Sequence, residues 1–439
     1  MAQGTLAAIL RVMYRYEIEG GFPVGGRVRA SGNKNAALPC LAATLLADGP
    51  VTLRNLPDIE DVHVMMEILK LLGCTVEKLS RNEYRFRTLD IRREEVPPHL
   101  AQKIRASMLF AGPLLARTGR AILSPPGGDM IGQRRLDTHF LALQDLGVKV
   151  ELGSVFTLSV EKLRGADIFL DEASVTATEN AIMAAVLAEG STVLSNAACE
   201  PHVQDLCAML NGMGARIAGT GSNVLRIEGV KRLSGTDFRI GADYMEVGSL
   251  IGLAAATRGE LTVEEAQPQN MRMAKIGFGK LGIRWEEDGG SLHVPAGLPL
   301  EVASDLGGRI PKIDDAPWPG FPADLVSIMV VTATQARGTV LIHEKMFESR
   351  MFWVDKLIGM GAGIILCDPH RVVVSGPSRL KGEDLVSPDV RAGMALLIAA
   401  LCAQGRSTIH NVYQIERGYE NLLPRLQGMG ARITRVGEA

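Results

Sequence analysis

Apolar positions along this chain come in two alternating kinds of run. The first kind is apolar nearly all round: NAALPCLAATLLA (35–47), ASMLFAGPLLAR (106–117), NAIMAAVLAE (180–189), EVGSLIGLAAAT (246–257), DLVSIMVVTATQA (324–336) and RAGMALLIAALCA (391–403). Small residues dominate and no polar face recurs at helical spacing, so these runs predict helices buried on every side. The second kind is amphipathic, as in VHVMMEILKLLG (62–73), where apolar residues recur at i, i+3 and i+4. β-Branched stretches such as PVTLRNL (50–56), STVLSNA (191–197), TVLIHEK (339–345) and STIHNVY (407–413) separate them and predict strands.

The pattern repeats six times. LLGCTVE (71–77) returns as DLGVKVE (145–151), GMGARIA (212–218), KLGIRWE (280–286), GMGAGII (359–365) and GMGARIT (428–434). The shared glycines, Gly73, Gly147, Gly214, Gly282, Gly361 and Gly430, stand 67–79 residues apart. A second glycine precedes each by 23–28 residues: Gly49, Gly119, Gly190, Gly259, Gly338 and Gly405. Two landmarks in step across six copies define a repeat. Each unit reads as a buried helix, a strand, an amphipathic helix with a glycine C-cap, and a closing strand or hairpin. Two globular domains of three units fit 439 residues. One continuous ring of six units is the alternative.

Composition narrows the function. The formal net charge of −2 gives no global attraction for nucleic acid or an anionic membrane, so anion binding has to come from local clusters. Six scattered cysteines without a CxxC pair predict reduced, packed thiols in the cytoplasm rather than disulfides or a metal site. The N-terminal stretch lacks a basic leading region and does not read as a signal peptide. The longest apolar helix candidate, at 392–403, is too short to span a bilayer. The buried helices carry polar residues at their expected starts: Asn35, Arg105, Asn180, Glu246, Asp324 and Arg391. Several helix N-termini aimed at one cleft would make an anion site.

The stretches SGNKNAALP (31–39), IRASMLFAGPLLAR (104–117), PGGDMIGQRRLDTH (126–139), SVTATEN (174–180), FPADL (321–325), FESR (347–350), PDVRAG (388–393) and IERGYE (415–420) resemble the enolpyruvyl transferase family over nearly the whole chain. The resemblance implies an α/β fold of two inside-out α/β-barrel domains, each of three βαβαββ units, with a cleft that closes on its substrates. Carried onto this chain, the domains are 34–241 and 1–33 with 242–439. The implied reaction moves the enolpyruvyl group of phosphoenolpyruvate to the 3′-hydroxyl of UDP-N-acetylglucosamine and releases phosphate. A paralog acting on another nucleotide or sugar is the alternative. No metal, organic cofactor, nucleic acid or membrane is implied, and a cytoplasmic monomer is expected.

The resemblance also assigns residues. Lys34 would contact phosphoenolpyruvate and Asn35 the sugar. Arg105, Arg134, Arg350, Arg391 and Arg417 fall on the family's arginine positions, where a planar guanidinium fork suits carboxylate and phosphate. Asp324 would accept the proton of the sugar 3′-hydroxyl, and Asp389 would assist. Arg135, Leu136, Asp137, Ser174, Val175, Thr176 and Met346 complete the implied substrate contacts. SPPGGDMIGQRR (124–135) matches the family's mobile active-site loop. Most members carry cysteine where this chain has Asp129, and the aspartate would serve either as the acid that protonates phosphoenolpyruvate or as a loop-closing element. Three positions depart from the commoner pattern: Glu172 where some members have lysine, Thr176 where glycine is frequent, and Tyr244 where DRIE is usual. A glutamate near a diphosphate would repel it.

Overall fold

The structure, a computed structural model, describes residues 14–128 and 135–437. The six predicted buried helices are present at Lys34–Ala43, Ala111–Thr118, Val175–Ala185, Tyr244–Ala256, Val326–Ala333 and Val390–Cys402. Short 3₁₀ turns extend three of them: Thr44–Leu46 follows the first, Arg105–Phe110 leads into the second and Ala323–Leu325 into the fifth. Every residue of Tyr244–Ala256 and of Val326–Ala333 is buried. Small residues let these helices approach closely: a Cβ on Gly112 would lie 2.6 Å from the Asn180 carbonyl oxygen.

Each unit has its own sheet, so six small sheets surround the buried helices. In the third unit, Asp167–Phe169 runs parallel to Ser191–Ser195, which pairs antiparallel with Val224–Glu228, and that strand with Arg216–Ala218. Alternating burial along Val224–Glu228 gives its sheet one apolar face toward the helices and one polar face toward solvent. Helices inside and sheets outside make this the inside-out α/β arrangement. In five of the six sheets a strand from outside the unit's own hairpin enters parallel at the edge. Asp237–Arg239 closes the first trio by pairing with Val51–Arg54 of the first unit. In the sixth unit the closing hairpin is replaced. Tyr14–Glu19, from the start of the chain, lies antiparallel between Arg406–His410 and Arg432–Gly437.

Two hydrophobic cores result. One is drawn entirely from residues between Ala36 and Ile240. The other joins Tyr16, Ile18, Val24 and Ala30 to residues from Ala242 to Ile433. All six shared glycines that end the second helices have positive φ, between 79° and 112°, the left-handed conformation that glycine adopts without a Cβ clash.

Two helix starts differ from the sequence expectation. The third buried helix begins at Val175, capped by the Ser174 side chain, and the fourth at Tyr244, capped by Asp243. Asn180 and Glu246 therefore sit inside their helices, buried at 0% and 3% exposure. Asn180 Oδ1 accepts from Gly112 N, and its amide nitrogen bonds Met108 O and His139 Nδ1. Glu246 accepts from Ser31 N and pairs with Arg425. A polar residue near a helix start reads as a cap unless its distant partners are known.

Candidate active site

A cavity of about 380 Å³ opens between the two cores. The starts of all six buried helices line it, through Lys34 and Asn35, Arg105 and Ala106, Ser174 to Thr176, Tyr244 and Met245, Ala323 and Asp324, and Val390 and Arg391. Helix N-termini present unpaired N–H groups and partial positive charge, so this convergence is an anion-binding geometry. Arg135, Arg350 and Arg417 add cationic side chains to the same wall.

These cations are held by carboxylates. Asp324 Oδ1 accepts from Arg350 Nη2 at 2.8 Å, and its Oδ2 from Arg391 Nε at 3.0 Å. Burial alone would raise the Asp324 pKa, but the Arg391 and Arg350 charges outweigh it and hold the carboxyl well below the usual range. The group is an anion at neutral pH and can accept a proton. Its basicity rises once a bound anion shares its two arginines. Arg391 also donates to the Tyr419 hydroxyl at 3.2 Å and lies over that ring.

Asp61 plays the matching part at the other end. Its Oδ2 lies 2.7 Å from Lys34 Nζ and its Oδ1 2.8 Å from Arg417 Nη2. The Asp61, Arg417 and Lys34 side chains are only 7%, 9% and 13% exposed. Lys34 and Asp61 belong to the first core's segment and Arg417 to the second's, so this ion triad bridges the cleft. Sequence reasoning missed Asp61. Its stretch, PDIEDVH, reads as an acidic first helical turn, and nothing local separates Asp61 from Asp58 or Glu60.

The cap of the first helix is Asn33, which accepts from Ala36 N at 3.0 Å, and this leaves Asn35 on the cavity wall. Asp389 caps the last buried helix by accepting from Arg391 N and Ala392 N at 2.8 and 2.9 Å, and it does not line the cavity. Leu136 and Asp137 are also absent from the wall; Asp137 pairs instead with Arg135 at 2.9 Å. Arg135 bonds Asp171 as well at 3.3 Å, and Glu172 lies close enough to add to its stabilisation. Glu172 is thus part of a carboxylate group around Arg135. The Thr176 hydroxyl bonds His139 Nε2 at 3.0 Å, a partner that glycine could not supply. Ser174, Val175 and Met346 line the cavity.

Asp129 and Arg134 lie outside the described residues. The described residues at both roots of this stretch are tied to one short segment. Gly127 N donates to Ala101 O, and a Cβ on Gly127 would lie 1.8 Å from Gln102 O, so only glycine fits there. At the other root Arg105 Nη2 donates to Arg135 O at 3.0 Å. Gly128 lines the cavity. Among the described residues no group of three histidine, cysteine or carboxylate side chains could hold a metal ion, and no helix is long and apolar enough to cross a membrane.

Residues 18–426 match the family model described as EPSP synthase (3-phosphoshikimate 1-carboxyvinyltransferase). The chain is 64% identical to the UDP-N-acetylglucosamine 1-carboxyvinyltransferase of Treponema denticola, over 96% of this chain and 99% of that protein. It is 59% identical to the enzyme of the same name from Borreliella burgdorferi, over 97% and 99%. Among solved structures, the enolpyruvyl transferase NikO from Streptomyces tendae superposes with a TM-score of 0.86 at 25% identity, covering 97% of this chain and all of that one. EPSP synthase from Acinetobacter baumannii shares the fold at a TM-score of 0.73 and 16% identity.

Proposed function

The chain belongs to the EPSP synthase family of enolpyruvyl transferases, and from that membership we propose that it transfers the enolpyruvyl group of phosphoenolpyruvate to the 3′-hydroxyl of UDP-N-acetylglucosamine. The observation that carries the reading is the cavity itself. Six helix N-termini and the cations Lys34, Arg350, Arg391 and Arg417 line it together with two carboxylates, Asp61 and Asp324, and Asp324 is poised as an anion. Relatives at 64% and 59% identity that bear this acceptor in their names support the choice of acceptor over a phosphorylated shikimate.

In the proposed reaction a proton is added to C3 of phosphoenolpyruvate while the sugar 3′-oxygen attacks C2 and gives up its proton to Asp324. The C2–O bond to phosphate then breaks and C3 loses a proton, which restores the double bond. Lys34 and Arg417 hold the phosphate and carboxylate of phosphoenolpyruvate. Arg105, Arg134 and Arg135, with the helix start at Ser174–Thr176, take the nucleotide. Asn35 and Met346 flank the sugar, and Asp389 acts through its cap on the Arg391 helix. Asp129 delivers the proton to C3 when its loop covers the cleft. An aspartic acid needs its pKa raised by roughly 3 units to be a useful acid at neutral pH, and burial beside bound phosphate works in that direction. We also propose that the two cores mark two domains, 34–241 and 1–33 with 242–439, and that the enzyme works in the cytoplasm as a monomer without metal or organic cofactor.

The test is phosphate release from phosphoenolpyruvate with UDP-N-acetylglucosamine, followed by mass analysis of the sugar nucleotide. The expected product carries one enolpyruvyl group. Release with a different acceptor and none with this one would reject the acceptor. Activity abolished by a chelator and restored by a metal would reject the metal-free reading.

A further inference from the structure

Two chain segments that build the wall around Asp324 each start from a buried carboxyl. Strands Lys312–Asp314 and Gly338–His343 run parallel, with Asp314 opposite His343. Asp315 and Glu344 are the next residues on each, so they leave the sheet side by side. Both are 0% exposed. From Asp315 the chain runs through Trp318 to Asp324 on the cavity wall, and from Glu344 through Met346 to Arg350. Arg350 and Asp324 then meet in the 2.8 Å ion pair described above. The carboxyls stand where the two segments separate, and the ion pair stands where they rejoin.

The carboxyls hold three consecutive backbone N–H groups. Asp315 Oδ1 accepts from Lys345 N at 2.5 Å and its Oδ2 from Met346 N at 3.3 Å; Glu344 Oε1 accepts from Phe347 N at 3.2 Å. That uses three of the four carboxyl oxygens. The fourth, Glu344 Oε2, is buried and has no donor facing it among the described residues, yet the Glu344 side chain lies within hydrogen-bonding range of Asp315. Two bare carboxylates away from water do not settle in contact, because like charges repel and neither offers a donor. One proton on Glu344 Oε2 removes both problems: it halves the charge and gives Asp315 a donor. Burial first, and then the Asp315 carboxylate, push the Glu344 carboxyl up to about 9, against the pull of Arg350 and with a further push from Asp324. The remaining charged or titratable neighbours engage other atoms. His370 Nδ1 meets the Glu344 main-chain oxygen, His343 meets Asp315 N through its own main-chain oxygen, and Lys345 Nζ pairs with Asp314.

We propose that Asp315 and Glu344 share a single proton and act as positioning residues, joining the segment that carries Asp324 to the one that carries Arg350. Neither is among the cavity-lining residues. Their work is to fix residues 345–347, and with them the guanidinium that clamps Asp324. The inference rests on the function proposed above in giving Asp324 a reaction to serve; the shared proton does not depend on it.

The test compares two isosteric variants of the full-length protein, Glu344→Gln and Asp315→Asn. A glutamine keeps an oxygen for Phe347 N and gives Asp315 an N–H donor with no proton to lose. An asparagine at position 315 sets its own N–H donors against Lys345 N or Met346 N. In wild type, whatever the pair contributes is complete below the unfolded glutamate value of about 4.3 and is lost as pH rises toward about 9, since unfolding then releases the proton. Across that window the wild-type melting temperature should fall relative to that of Glu344→Gln by about 3–5 °C per pH unit. Asp315→Asn should melt lower than Glu344→Gln throughout. The wild-type kcat/KM for phosphoenolpyruvate should decline as pH passes about 9, and in Glu344→Gln that decline should move to higher pH while the neutral-pH value stays close to wild type. A melting gap that does not change with pH, or an Asp315→Asn protein as stable as Glu344→Gln, overturns the shared proton. An alkaline decline that Glu344→Gln leaves in place overturns the positioning role. Melting does not depend on turnover, so a protein that shows the pH-dependent gap and releases no phosphate would overturn the proposed activity alone.

Discussion

Replacing Asp61 with asparagine should cost the ligand-free protein stability and make it unusually responsive to anions. The substitution keeps the size and one acceptor oxygen but removes the charge that Lys34 and Arg417 share at 2.7 and 2.8 Å. Two largely buried cations are then left facing each other across the cleft. Removing one partner of a buried ion pair costs about 3–5 kcal/mol. At roughly 2–4 °C per kcal/mol for a domain of this size, the melting transition should fall by about 6–20 °C. Phosphoenolpyruvate or inorganic phosphate supplies the missing negative charge, so either should raise the variant's transition by more than it raises that of wild type. Scanning calorimetry with and without phosphoenolpyruvate reads both effects. pH supplies a further check. Burial alone would raise the Asp61 pKa, but the Lys34 and Arg417 charges win and hold it below its ordinary value. Its contribution is therefore complete above the unfolded value of about 3.9 and is lost as pH falls through the lower folded value. The gap between wild type and variant should close below about pH 4. An unchanged melting temperature, or an equal response to phosphate in both proteins, would show that the triad does not hold the cleft's cations.

Lys34→Ala and Arg417→Ala should each lower kcat/KM for phosphoenolpyruvate by roughly 2–5 kcal/mol of transition-state stabilisation while circular dichroism stays native, because each leaves a substrate anion unpaired. Near-normal kinetics in both would move the phosphoenolpyruvate site elsewhere. The Asp324 pKa is held low by Arg391 and Arg350, so the wild-type pH profile of kcat/KM should show no Asp324 ionisation between pH 5 and 8. Arg350→Ala should raise that pKa and bring the acid limb upward, and an unshifted limb would count against Asp324 as the base. Fosfomycin alkylates the loop cysteine in this family, and a carboxylate is a far weaker nucleophile toward an epoxide than a thiolate. Time-dependent inactivation should be absent in wild type and appear in Asp129→Cys; mass spectrometry finding an adduct on the wild-type loop would contradict this.

The architecture was legible because its punctuation is local. The glycine after each amphipathic helix must adopt positive φ, and that demand is written in the sequence at Gly73 and its five counterparts. The all-round apolar helices were legible for the same reason: their burial is a property of the run itself. What could not be read depends on distant partners. Asn180 and Glu246 look like helix starts until Gly112, His139 and Arg425 are placed beside them. Asp61 looks like one of several acids in a helical first turn until Arg417, 356 positions away, reaches it. Asp389 and Asp324 are both acids at helix starts, yet one caps its helix and the other clamps two arginines.

The pairings in the cleft also explain how a chain of net charge −2 can present a polyanion site. Buried cations are costly unless paired, and here Asp61 and Asp324 pair with Lys34, Arg350, Arg391 and Arg417 without neutralising them fully. Four cations against two carboxylates leave a surplus of positive charge in the ligand-free cleft, to which six helix N-termini add. A bound phosphate or carboxylate does not have to break these pairs; it can join them as a further acceptor on donors that are already oriented. Preorganised donors cost less to engage than mobile ones. The arrangement also couples binding to chemistry at Asp324. An anion that draws Arg350 or Arg391 toward itself weakens their hold on the carboxylate and makes it a stronger base. The cleft would then be least basic when empty and most basic when the anionic substrate is in place, which favours removal of the hydroxyl proton only in the loaded complex.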